Sequence, residues 1–101
     1  MNDKLGILVS SDRYIDHLIG ITKAAHRAGK EVIIFLTSRG VLLTKNKKFV
    51  ELEGICRISL CSLCFELFRL AKPVPVVKDK DFGTQMRNVE LMKESDRYIV
   101  L

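Results

Sequence analysis

Short apolar runs alternate with polar turns along the whole chain, and the spacing inside the runs alternates between two kinds. Lys4 to Ser10 carries Leu5, Ile7, Leu8 and Val9 in close succession and predicts a buried strand. Ser10, Ser11 and Asp12 then offer helix-capping oxygens. After them Ile15, Leu18, Ile19, Thr22 and Ala25 recur at helical spacing, with Arg13, Asp16, Lys23 and Arg27 on the other face. Gly29 is placed to close that helix in a left-handed cap. Glu31 to Thr37 is an unbroken β-rich run, which suits a strand covered on both faces. Two such strands and the helix between them predict a right-handed βαβ unit.

The second half is less regular. Ser38, Arg39 and Gly40 turn the chain. Val41–Thr44 and Phe49–Glu53 read as short helical pieces broken by a lysine-rich turn. A third strand is expected over Ile55 to Leu60, ending at Cys61, and a helix from Ser62 with Leu63, Cys64, Leu67, Phe68 and Ala71 on one side. Pro73 and Pro75 flank a fourth run, Val74 to Lys78. Proline cannot donate to a ladder, so this strand is expected at a sheet edge. Asp79 to Gly83 reads as a turn. Thr84 can cap a last helix carrying Met86, Val89 and Met92, and Arg97 to Leu101 reads as a closing strand. This order predicts an α/β domain: a mostly parallel five-stranded sheet with helices on both faces.

Composition narrows the class. A chain of 101 residues is one domain, 1–101, and 48% hydrophobic content suits a globular core. The apolar runs reach about five residues, far short of the roughly 20 needed to span a membrane. The first residues do not read as a secretory signal, so a cytoplasmic location is expected. The net charge is +5, but the basic residues are spread along the chain. The Lys45, Lys47 and Lys48 cluster reads as a solvated loop, and nucleic acid is not an expected partner.

Three cysteines, Cys56, Cys61 and Cys64, are an odd number at close spacing, which is no disulfide framework. Sites in parallel sheets gather at the carboxyl ends of strands, where Cys61 stands. A helix starting at Ser62 would aim free N–H groups at its sulfur and favour the thiolate. Cys64 completes a C-x-x-C at that helix start. It reads either as a core residue or as a resolving thiol. Cys56 and Cys61 are roughly 16 Å apart along a strand, too far to share one ion, so no metal site is expected. Phosphate-binding glycine motifs are absent, and nothing calls for a cofactor. Ser10 and Ser11 after the first strand, and Arg39 after the second, can line an anion-binding or substrate rim beside Cys61; capping and solvation are their plainer roles.

Leu5 to Asp12, Gly29-Lys30-Glu31-Val32 with Phe35 and Gly40-Val41, Gly54-Ile55 with Ile58-Ser59-Leu60-Cys61, and Ser95 to Val100 together resemble the DsrE/DsrF-like family, which includes the TusD-type sulfur-relay subunits. The resemblance implies a three-layer α/β/α sandwich and a homo- or hetero-oligomer, often a trimer or hexamer. It also implies a persulfide on the strand-end cysteine, handed to a protein partner. Only Cys61 matches that position. Cys64 stands where those carriers have a small apolar residue, and the Ser38–Gly54 connection is shorter than theirs. The expected function is thus a small sulfur carrier or sulfurtransferase-like protein with protein donors and acceptors. The alternatives are a thiol-disulfide module using Cys61 and Cys64, and a non-catalytic oligomeric or regulatory subunit.

Overall fold

A computed structural model describes residues 3–101. Five strands form one parallel sheet: β1 (Lys4–Val9), β2 (Glu31–Leu36), β3 (Arg57–Cys61), β4 (Phe82–Gly83) and β5 (Arg97–Val100), in the order β4-β3-β2-β1-β5. Three α-helices accompany them: α1 (Ile15–Arg27), α2 (Ser62–Leu67) and α3 (Met86–Glu94). Two 3-10 segments, Ser38–Lys45 and Lys47–Leu52, link β2 to β3. The expected α/β architecture and parallel sheet are therefore present.

The two-residue period of a strand sorts the side chains onto opposite faces. On one face Ile7, Val9, Val32, Ile34, Leu36, Ile58 and Leu60 form the main core with Ile15, Leu18 and Ile19 of α1 and with Val41, Phe49 and Leu52 of the 3-10 segments. On the other, Ile33, Phe35 and Cys61 pack with Leu91 of α3. That second cluster is smaller than the first, and α3 covers it through Leu91. Gly6 is what lets α3 seat on β1: a Cβ there would lie 2.2 Å from Ser95 Oγ and 2.5 Å from Leu91 Cδ2.

A local expectation holds at the end of α1. Gly29 (φ +78°) follows α1 and Lys30 N donates to Ala25 O, a six-to-one closure. Thr84 Oγ1 accepts from Met86 N at 3.3 Å just ahead of α3, but the N-cap itself is Gln85 and α3 has no side-chain cap.

Others are corrected. Val74–Lys78 is not a strand. Pro73 and Pro75 remove donors, and Val76 turns at φ +72° with Val77 N donating to Pro75 O. The apolar character of this stretch serves to anchor it: Val77 is buried in the main core. The fourth strand is instead Phe82–Gly83, inside the expected Asp79–Gly83 turn, and it does lie at a sheet edge. β3 begins at Arg57, because residues 53–56 are spent on a turn around Gly54. α1 begins at Ile15, with Tyr14 at its N-cap and no side-chain cap, so Ser10, Ser11 and Asp12 do not cap it. α2 stops at Leu67 and buries Phe65, leaving Leu63, Leu67 and Ala71 exposed. Met86, Val89 and Met92 of α3 are exposed, since the helix docks through Leu91.

Candidate functional site: a dithiol at the carboxyl edge of the sheet

Cys61 is both the last residue of β3 and the N-cap of α2, with extended backbone (φ −75°, ψ 115°). β3 alternation turns its side chain to the face of Ile33, Phe35 and Leu91, where the residue is only 4% exposed. Burial alone would push its thiol pKa up. The backbone N–H of Cys64, the Cys64 side chain, the Gln85 side chain and the backbone N–H of Leu63 outweigh it and hold the thiol below its ordinary value. The thiol is thus sheltered from water yet more acidic than an ordinary one.

Cys64 occupies the first turn of α2 and is partly buried. Its Sγ accepts from Ser38 N at 3.3 Å and lies 3.7 Å from Thr37 Oγ1. Thr37 Oγ1 in turn accepts from Gln85 Nε2 at 2.8 Å, which leaves the threonine hydroxyl proton free to point at Cys64. Three segments meet here: Thr37 and Ser38 from the end of β2, the two cysteines from the β3–α2 junction, and Gln85 from the residues after β4. The turn after β2 is held tight by Gly40, whose missing Cβ would lie 2.1 Å from Val9 O. Ser38 sits at φ +50°, an uncommon backbone conformation for a residue with a side chain.

The expected rim residues have other partners. Arg39 donates to both oxygens of Asp12 (3.4 and 3.2 Å), and its guanidinium lies 5.9 Å from the Phe68 ring centre. That hydrogen bond with Arg39 holds the Asp12 carboxyl below its usual range. Arg39 therefore braces the ends of β1 and β2 against the chain after α2. Ser10 N and Oγ both reach Leu101 O, at 2.9 and 3.4 Å, which ties β1 to the chain end. Ser11 Oγ accepts from Arg13 N. Neither serine is among the groups around the Cys61 sulfur.

Thr37 and Gln85 are the site residues that sequence reasoning missed. Thr37 was within reach, because it ends the predicted second strand on the same carboxyl edge as Cys61. Gln85 was hidden behind the misplaced fourth strand. Once Phe82–Gly83 is the strand, Gln85 falls just past its carboxyl end.

Cys56 stands apart at the start of β3, its Sγ donating to Leu52 O at 3.5 Å. Burial pushes its thiol up to about 12, so it stays protonated. Among the described residues no three His, Cys, Asp or Glu side chains converge as a metal site would need, and no helix is long and apolar enough to cross a membrane. On the Cys61 face a groove of about 420 Å³ runs between β3 and α3, past Ser59, Arg57 and Arg87. Arg57 is paired with Glu31 and Glu94, and Arg87 donates to Lys80 O. Comparisons with protein-family models, curated proteins and solved structures return no match for this chain.

Proposed function

We propose that the protein is a sulfur carrier of the DsrE/DsrF-like kind, with Cys61 holding sulfane sulfur as a persulfide and passing it to a protein partner. The observation that carries this reading is the place of Cys61 at the end of β3 and the N-cap of α2, beside the Leu63 and Cys64 backbone N–H donors and the Cys64 and Gln85 side chains, with its thiol held below the ordinary value despite burial. Such donors stabilise a sulfur anion without a neighbouring base. The Cys61 thiolate attacks the outer sulfur of a donor persulfide R–S–SH. The donor S–S bond breaks, R–S⁻ leaves and takes a proton, and Cys61 keeps the sulfur. Transfer to an acceptor thiol repeats the same exchange in reverse order.

The test is mass measurement after incubation with a sulfane-sulfur donor. A gain of one sulfur, about 32 Da, is expected on Cys61 and absent from Cys61→Ala. A chain that gains none, or gains it equally without Cys61, refutes the reading.

Self-association belongs to the same proposal, as a homo-oligomer of the trimeric or hexameric kind. Met86, Val89 and Met92 form an exposed apolar row on α3, and Val100 is exposed on the edge strand β5. Replacing Val89 and Met92 together by lysine is expected to lower the sedimentation mass; an unchanged mass counts against this surface. A reducing, cytoplasmic setting is favoured by the three unpaired thiols.

A second reading, thiol-disulfide exchange with outside disulfides, is favoured by the C-x-x-C spacing at the start of α2 and by the packing of Cys64 against the cluster that contains Cys61. A measurable Cys61–Cys64 redox couple that turns over disulfide substrates, with no sulfur loading, would select it.

A further inference from the structure

We infer that Cys64 discharges the Cys61 persulfide within the same chain, closing a Cys61–Cys64 disulfide and releasing hydrosulfide. This inference rests on the carrier reading of Cys61 and adds a second fate for its sulfur.

The step balances without any outside oxidant. The Cys64 sulfur, its proton lost to solvent, attacks the inner sulfur of Cys61–S–SH. A Cys61–Cys64 S–S bond forms, the bond to the outer sulfur breaks, and HS⁻ leaves. The outer sulfur is reduced to sulfide while the two cysteine sulfurs become a disulfide. An external thiol or dithiol then supplies two electrons and two protons to restore the pair.

Three features of the structure favour it. The first is proximity. Cys61 at the N-cap and Cys64 in the first turn have the C-x-x-C spacing of exchanging dithiols, and Cys64 packs against the cluster that contains Cys61. The second is orientation. Cys64 Sγ accepts from Ser38 N and lies 3.7 Å from Thr37 Oγ1, so the attacking sulfur is held in place. The third is exclusion. Cys61 is 4% exposed, so an outside thiol must open the site, whereas Cys64 is already inside it. A reactant held in this way gains the advantage of an intramolecular one. The thiol of Cys56 is too far and too firmly protonated to compete. The consequence is a carrier with a clock: an acceptor must take the sulfur before Cys64 releases it.

The experiment uses the reduced full chain, without oxygen, given one equivalent of glutathione persulfide. Wild-type protein is expected to lose two hydrogens, show a Cys61–Cys64 cross-linked peptide and release about one sulfide per chain. Cys64→Ser is expected to keep the extra sulfur on Cys61 at least about tenfold longer. Cys64→Ala, which carries no hydroxyl, serves as the second variant should serine disturb the fold. Equal adduct lifetimes in wild type and both variants overturn the discharge and leave the carrier reading standing. A wild-type disulfide without sulfide release overturns it as well. No adduct on either variant overturns the carrier reading, and the discharge with it.

Discussion

Gly40→Ala tests whether the turn after β2 is what holds the site together. The new Cβ would stand 2.1 Å from Val9 O and 2.8 Å from Val9 C. Contacts of this kind in proteins essentially never fall below 3.0 Å, so the two segments must part by about 0.9 Å. The neighbour is backbone and cannot swing away. Val9 O also accepts Thr37 N at 2.9 Å, so moving it strains a hydrogen bond that continues the β1–β2 ladder. Overpacking of this sort costs about 1–3 kcal/mol, and a weakened hydrogen bond adds about 1. The expected loss of about 2–4 kcal/mol is a large part of the roughly 5–15 kcal/mol available to a domain. In urea the midpoint should fall by roughly 1–2 M. The same shift displaces Thr37 and Ser38, so Cys64 should alkylate faster in the folded protein. Gly20→Ala is the matching control. Gly20 lies in exposed mid-α1 with no heavy atom within 4 Å of its added Cβ, so alanine should stabilise by about 0.5–1 kcal/mol. A Gly40→Ala protein within about 0.5 kcal/mol of wild type would refute the steric reasoning.

Further outcomes follow from the same contacts. The pH profile of Cys61 alkylation should inflect below the ordinary thiol value, and Gln85→Leu should move it upward by removing one donor; an unmoved profile denies Gln85 that role. Asp12 and Glu94 are both held below their usual range, by Arg39 and by Lys4 with Arg57. Groups with depressed folded pKa values stabilise above the unfolded value and stop doing so as pH falls through the folded one. Stability should therefore drop below about pH 4, and Arg39→Ala should flatten part of that drop in acid titrations followed by circular dichroism. Thr22 Oγ1 is fully buried without a hydrogen-bond partner, so Thr22→Val should raise stability by about 1 kcal/mol in urea melts, and a loss would mean that the hydroxyl has a partner.

How much of this was legible in the sequence depended on where the information lay. β1, α1 and β2 carry their own signals: apolar runs, helical spacing and a closing glycine. They sit where the pattern places them. Cys61 was legible because a strand pattern ended at it and a helix could begin after it. The C-terminal third misled because the apolar residues there answer to tertiary contacts. Val74, Val76 and Val77 look like a strand but anchor a loop. Met86, Val89 and Met92 marked the last helix, yet Leu91 is the residue that docks, because Gly6 opens a seat for it on β1. No local pattern encodes a seat that lies 85 positions away. Gln85 and Thr37 were hidden for the same reason: their roles exist only once three strand ends are brought side by side.

That dependence bears on the thiolate itself. A helix after Cys61 would favour its thiolate through the helix dipole, but α2 is only six residues long. A helix so short offers little of the accumulated dipole that a longer one would bring to its first turn. Its place is taken by the polar groups around the sulfur: the backbone N–H groups of Cys64 and Leu63 and the Cys64 side chain, all local to α2, and the Gln85 side chain from beyond β4. The local pair of N–H groups belongs to β3 and α2 alone. The Gln85 amide and the fixing of Cys64 by Thr37 and Ser38 belong to the folded sheet. A peptide spanning β3 and α2 would keep the C-x-x-C but lose Gln85 and the anchoring of Cys64 by Thr37 and Ser38. Its Cys61 should titrate nearer to an ordinary thiol than in the folded chain, and an equally lowered value in the peptide would show that the motif, not the sheet, makes the site.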